Sequence, residues 1–529
     1  MFNKRLKNLM ALMAALALVL VVTGCDNNGE ENGNGGEEYP YDNGGETGPV
    51  ERERLVIGHN ANPISLDLHR TNDNASAVVM REIFQTLVHQ DEDMVIHPGL
   101  ATEWEQIDLY TWHFTIRDDV HFHNGDLMTV EDVVFSLRRG ADSPSVDAIL
   151  GMLDSDRIEV IDENTVQIAT EMPFAPLLSH LAHIAAGVMN ESVVTGMADD
   201  EIARNPVGTG PFEFVEWETD VSVLVRRFED FHGDLPAFRE MLFRIITDPE
   251  SRFIELETRG IDIMLGVGAA HYARAQSEGF NLLKVQGLQT SYLGMNVRHP
   301  QLSDNRVRRA INYAIDVEII SEALTYGYAT PAASPISPNV FGANPNLDPF
   351  PFDPDRAREL LAEAGVEGLT LDLYTTNVAA NLEMSQIIQQ NLADVGITVE
   401  IHAYEWGTFI EEVDREGGVD VFFMAWGTIT GDADYGLFPL FHTSSIGPAG
   451  NRTHFSHPDV DALLDRGREV IDPDERLEIY HEVLDILRYE SPWVPMLQGL
   501  AAVATQPEVR GFRTNPTNSH FFSGVYFVE

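Results

Sequence analysis

Apolar positions recur along the chain in two periods, and the switching between them sets the fold class. Val78, Val79, Ile83, Phe84 and Leu87 fall at helical spacing and predict a helix over residues 75–89. Leu55-Val56-Ile57-Gly58 reads as a short apolar strand, and residues 112–116 alternate like another. Thr129 is placed to cap a helix, with Asp132 three residues on and Val133, Val134 and Leu137 as its apolar face. Hairpins are expected for residues 158–168, around Asp162-Glu163-Asn164, and for residues 212–225. Residues 306–315 and 354–364 read as helices, and a helix over 473–487 opens on Pro473. Strand 371–374, a helix ending at Val395 and strand 398–401 make a β-α-β unit, which implies parallel pairing. The expectation is mixed α/β in at least two lobes. No internal repeat is visible.

The first residues follow a different pattern. Lys4, Arg5 and Lys7 precede an unbroken apolar run from Leu9 to Val22. That run is too short to span a bilayer, which takes about 20 residues, and fits the apolar part of an export signal. Val22-Thr23-Gly24-Cys25 then resembles the bacterial lipobox, and Cys25 is the only cysteine in the chain. A lone cysteine makes no internal disulfide. We expect residues 1–24 to be a signal peptide and Cys25 to carry lipid. Residues 26–54, rich in Gly, Asn and Glu, read as a tether of about 30 Å r.m.s..

Composition narrows the function classes. At 529 residues, the chain is long enough for two to four domains. Its net charge of -50 argues against nucleic acid and against electrostatic docking on anionic lipid. Lys4, Lys7 and Lys284 are the only lysines, so arginine carries the positive charge. This suits exposure to saline or alkaline medium, or reflects a lineage-wide residue bias.

An ordered series of motifs runs through the mature chain. Pro98-Gly99-Leu100-Ala101-Thr102-Glu103-Trp104 is followed by Trp112-His113-Phe114-Thr115-Ile116-Arg117 and by Val120-His121-Phe122-His123-Asn124-Gly125-Asp126. Residues 131–137, Asn205-Pro206-Val207-Gly208-Thr209-Gly210-Pro211-Phe212, Gly294-Met295-Asn296, residues 306–316 and Tyr404-Glu405-Trp406 continue it. Together they resemble the family 5 solute-binding proteins of ABC importers, which take up dipeptides, oligopeptides, glutathione and nickel complexes. The resemblance implies a periplasmic-binding-protein-like α/β fold of two lobes on a hinge, class II in type, with an extra inserted domain. Mapped here, lobe I holds residues 55–85, 206–290 and 500–529, the insert 86–205, and lobe II 291–499. It implies a monomeric receptor outside the cytoplasm that hands peptide-like solute to a permease with cytoplasmic ATPases. The alternatives are nickel-chelate or haem uptake, peptide sensing without import, and a lipoprotein hydrolase on this fold.

The same resemblance marks a binding site. Trp406 matches a pocket tryptophan of dipeptide-binding relatives, and Asn62 follows the first strand, where relatives bring backbone groups to the ligand. Trp426, Thr428, Asp432 and Asp434 lie on a segment that shapes ligand choice in the family, and Arg452 follows it. Dipeptide-binding relatives hold the ligand ammonium with an Asp where this chain has Ile429. Their carboxylate-binding Arg has no match in Thr375-Thr376-Asn377-Val378-Ala379-Ala380. We therefore expect Asp432 or Asp434 to meet an ammonium, Arg452 to meet a carboxylate, and a free dipeptide to bind poorly. The segment from Trp426 to Asp434 looks more like the glutathione-binding branch.

Other chemistry is weaker. His121 and His123 share a strand face but lack a third ligand nearby, so no metal site is expected. Gly208-Thr209-Gly210 lacks the Lys of a phosphate loop, and Pro211 removes a backbone donor; a tight turn is the better reading. Asp432 and Asp434 read equally as turn caps. No hydrolase signature occurs, and neither a cofactor nor catalysis is expected.

Overall fold

In the computed structural model, residues 52–415, 417–447, 450–518 and 520–529 are described. The leader, Cys25 and the tether as far as residue 51 lie outside them. The first strand, Arg52–His59, begins three residues inside the stretch assigned to the tether. Ion pairs draw these residues into the sheet: Arg52 reaches Asp262 and Glu508, each at 3.1 Å, and Arg54 chelates Glu240.

One eleven-stranded sheet organises the described chain. Its backbone is a pair of long antiparallel strands, Asn281–Met295 and Trp493–Thr505. On one side of this pair come Ile263–Leu265, Arg52–His59, Phe238–Ile245, Ser222–Arg227 and Phe212–Glu218. On the other come Val421–Gly427, Thr370–Thr376 and Thr398–Tyr404. The expected β-α-β unit is present: Thr370–Thr376 and Thr398–Tyr404 pair in parallel across helix Ala379–Asp394. Between Gln286 and Thr290 the register of the long pair slips, and Gly287 lies there. A Cβ on Gly287 would stand 3.2 Å from the Gly499 carbonyl oxygen, so the two backbones approach more tightly here than a side chain would comfortably allow. The interruption falls where the sheet passes from one group of flanking strands to the other.

Separate apolar clusters fill the two sides. Leu55, Ile57, Val79, Ile83, Phe212, Phe243 and Phe522 belong to one. Leu293, Ile311, Leu371, Leu373, Ile388 and Met496 belong to another. A third is built from residues 87–188 around a four-stranded antiparallel sheet, with Phe114 and Phe122 fully buried. Burying one such side chain stabilises by about 2–3 kcal/mol. This third cluster takes in one residue from far along the chain, Tyr435, with Trp426 and Ile429 packed against it.

Local signals explain most element starts. Thr129 and Asp132 form a reciprocal capping box on helix Val130–Ala141. Asp472 caps helix Pro473–Glu490, with Pro473 in its first turn. The helix expected to reach residue 89 stops earlier, at Asn74–Ile83. Tertiary bonds end it: the Ile83 carbonyl accepts from Gly210 N–H, and the Thr86 and Leu87 carbonyls accept from Leu100 and Gly99. Val88–Gln90 then pairs as a strand with Ile96–Pro98. A Cβ at Gly208 or Gly210 would lie 2.1 or 2.8 Å from the Ile83 oxygen, so this docking requires both glycines. The Gly208-Thr209-Gly210 segment is thus a tight turn against a helix end. His123 fastens it, its Nε2–H donating to the Gly210 carbonyl at 3.0 Å and its Nδ1 accepting from Gly208 N–H at 3.3 Å.

Candidate functional site: the cleft beside the hinge

Strand Val421–Gly427 runs antiparallel to Asn281–Met295, with Trp426 opposite Thr290 and Gly427 opposite Gln289. Its last residues therefore emerge level with the register slip. The segment that follows, residues 428–432, is held from several directions. Thr428 N–H donates to the Leu288 carbonyl, Gln90 Nε2 donates to the Thr430 carbonyl at 2.9 Å, and Phe341 N–H donates to the Gly431 carbonyl. Gly431 takes φ 73°, the left-handed turn that brings the chain into helix Ala433–Phe441.

Asp432 caps that helix, accepting from Asp434 N–H at 3.0 Å. Both carboxylates also carry an internal counter-charge. Asp432 is bidentate to Arg476 at 2.8 and 3.0 Å, and Arg476 donates further to Tyr480 Oη and the Gly467 carbonyl. Asp434 is bidentate to Arg468 at 2.7 and 3.0 Å, and that guanidinium lies 3.3 Å from the Phe438 ring centroid. Arg468 lies on helix Pro458–Glu469, and its carbonyl accepts from Ala175 N–H at 2.7 Å, joining that helix to the segment 87–188.

Arg452 is likewise engaged, with Nε 2.6 Å from Asp414. The expected ammonium and carboxylate partners among Asp432, Asp434 and Arg452 thus already neutralise charge within the protein. Re-using any of them for ligand would break a buried or half-buried pair. Asn62 is committed as well: its Oδ1 accepts from Trp217 Nε1 at 3.3 Å and from Asp220 N–H at 3.1 Å. Trp426 is half-buried and donates Nε1–H to the Tyr435 carbonyl at 3.1 Å. Thr428 is buried, and its hydroxyl has no hydrogen-bond partner among the described residues. Trp406 opens helix Trp406–Val413 at the far edge of the sheet and is 57% exposed, its ring 5.8 Å from Phe409. Trp426, Thr428, Asp432 and Asp434 therefore cluster, while Asn62, Trp406 and Arg452 stand apart from them.

A cavity of about 50 Å³ opens beside this segment. Ile429 forms one wall; Ala77, Met80 and Arg81 of helix Asn74–Ile83 and His183 face it. Sequence reasoning missed the last two. Arg81 makes no ion pair among the described residues, and its Nε is buried without a partner. Burial lowers its pKa to about 10. Neighbouring Glu82 is pushed up to about 8 by burial, opposed by Arg81, and its Oε2 has no partner among the described residues. Burial thus favours the protonated form of Glu82 and weakens its neutralisation of Arg81. Burial, then the Arg81 charge, lower His183 to about 3. The available signal was the pair Arg81-Glu82 inside the apolar run from Val78 to Phe84.

Residues 95–448 match the family model described as Bacterial extracellular solute-binding proteins, family 5 Middle. The chain belongs to this family. The glutathione-binding protein GsiB of Salmonella typhi is 30% identical over 479 residues, 88% of this chain and 93% of that protein. Heme-binding protein A of Haemophilus influenzae is 27% identical over 550 residues, 98% of this chain and 99% of that one. The ABC transporter-associated periplasmic binding protein DppA of Helicobacter pylori, solved with the peptide STSA, superposes with a TM-score of 0.77. It is 28% identical and covers 90% of this chain and 98% of its own. This family 5 chain is an ABC substrate-binding protein, with the two-lobed α/β fold of periplasmic binding proteins.

Proposed function

We propose that this family 5 protein captures a peptide-like solute of the glutathione or short-oligopeptide class and delivers it intact to an ABC permease. The observation that carries the reading is 30% identity to a glutathione-binding protein over 88% of this chain, and it is supported by Ile429 in the cavity wall, where the family resemblance implies a carboxylate in dipeptide-binding relatives. Residues 55–85, 206–290 and 500–529 would form one lobe, 291–499 the other, and 86–205 the insert. Closure would bend the long strand pair at its register slip. Trp406, exposed at a sheet edge, would add an aromatic surface for ligand on closure. Haem is the second reading, favoured by the 27% identity over nearly the whole chain to a haem-binding protein.

Calorimetry with glutathione, a pentapeptide, Ala-Ala and haem tests this choice. The expected result is binding of glutathione or the pentapeptide with recovery of intact ligand, and a smaller radius of gyration in solution scattering. Trp406→Ala should then weaken binding by about 1–3 kcal/mol without unfolding the protein. Preference for Ala-Ala or haem, or cleaved product, would overturn the reading.

The anchor belongs to the same proposal: a monomer held at the outer face of the membrane through lipid on Cys25, which lies outside the described residues. No helix among the described residues is long and apolar enough to cross a membrane. Labelled fatty acid should enter the wild type and not Cys25→Ala. An unlabelled wild type rules the anchor out.

A further inference from the structure

The cavity beside Ile429 contains more polar chemistry than the fold consumes. Arg81 stands in it without an ion pair among the described residues, whereas arginines 468, 476 and 452 each have a carboxylate partner. Arg81 is half-buried, with its Nε inaccessible and unpartnered among the described residues, so its guanidinium faces the cavity as a cation that an anion would stabilise. Asp73 also borders the cavity, but its oxygens accept the Thr71 hydroxyl at 2.6 Å and Ser76 N–H at 2.8 Å, and it caps helix Asn74–Ile83.

His183 supplies a second donor. Its Nδ1 accepts the Ala185 N–H at 3.2 Å, so the ring proton of the neutral imidazole sits on Nε2. Asn72 and Asn74 add amide groups to the rim. Leu68, Ala77, Met80 and Ile429 contribute apolar wall, which strengthens any charge pairing inside it.

We propose that Arg81 and His183 form an anion subsite that receives a carboxylate of the captured solute, with Ile429 closing over it from the other lobe. This rests on the peptide-like ligand proposed above and names the end of that ligand which the cleft grips. It replaces Arg452 as the expected carboxylate partner. Because Ile429 completes the wall, carboxylate binding would also couple to closure.

The experiment pairs ligand and protein changes. Glutathione and a pentapeptide are compared with glutathione glycyl ethyl ester and the pentapeptide C-terminal amide, against wild type and Arg81→Met. Wild type should prefer the free acids by about 10- to 100-fold, the scale of a charge-assisted hydrogen bond, and Arg81→Met should lose that preference. Without ligand, Arg81→Met should melt no lower than wild type, because the guanidinium satisfies nothing in the fold. An undiminished preference in Arg81→Met, or its collapse without ligand, overturns the subsite. If no peptide-like probe binds, the peptide reading has failed, and glutarate then decides the subsite alone. Glutarate should raise the wild-type melting temperature and leave that of Arg81→Met unchanged; equal shifts, or none in either, refute it.

Discussion

Arg476→Met should destabilise the protein by about 3–5 kcal/mol, the cost of leaving one buried charge of a pair without its partner. Both side chains are nearly inaccessible, 8% exposed for Arg476 and 7% for Asp432. Asp432 would keep only its capping bond to Asp434 N–H, and Tyr480 Oη and the Gly467 carbonyl would lose their donor. The damage includes the turn that carries Ile429, so ligand affinity should fall with stability. Urea unfolding of Arg476→Met, Asp432→Asn and the double variant separates pairing from packing. The double variant should recover part of the loss, since no charge remains uncompensated. A double variant as unstable as the sum of both singles would show that the pair contributes no coupling.

Much of the fold is legible in the chain because its signals are local. The Thr129–Asp132 capping box, the β-α-β unit over 370–404 and Pro473 at a helix start all follow from neighbours within a few residues. The central strand pair is harder to read. Asn281–Met295 mixes Lys284, Gln286, Gly287 and Gln289 with apolar residues, and its register slip breaks the alternation that marks a strand. Its partner contains Pro495 and Gly499, which punctuate rather than extend a strand pattern. The helix expected to run to residue 89 fails for a related reason: its end is set by Gly99, Leu100 and Gly210, none of them adjacent in sequence.

The cleft is legible in outline and opaque in its charges. The segment after Trp426 emerges level with the register slip, and the family resemblance places it at a binding cleft. Which of its charges are free depends on pairs far apart in sequence: Asp432 with Arg476, Asp434 with Arg468, Arg452 with Asp414. Sequence spacing shows the carboxylates and hides the arginines that neutralise them. Arg81 is the inverse case, a surface-type residue in sequence that the helix Asn74–Ile83 turns into a cavity.

Glu82→Gln should change how stability depends on pH. In the unfolded chain Glu82 loses its proton near 4.5, while in the fold, where it is 4% exposed, burial holds the proton until about 8. Between those values the native state binds the extra proton, so wild-type stability falls as pH rises through the window and levels off above it. Glutamine matches the protonated carboxyl in size and does not titrate. The variant should equal wild type near pH 4 and exceed it by roughly 3–5 kcal/mol above pH 8, the free energy of so large a shift. His69, His183 and His520, all lowered by burial, weaken the fold toward acid, but they are common to both proteins and cancel in the difference. Urea midpoints from pH 4 to 9 give the curve. A constant gap across that range would mean that Glu82 is ionised in the fold, paired with Arg81. That result would also close the anion subsite, because Arg81 would already have its counter-charge. A gap that opens with pH leaves the guanidinium unpaired and free for a ligand carboxylate.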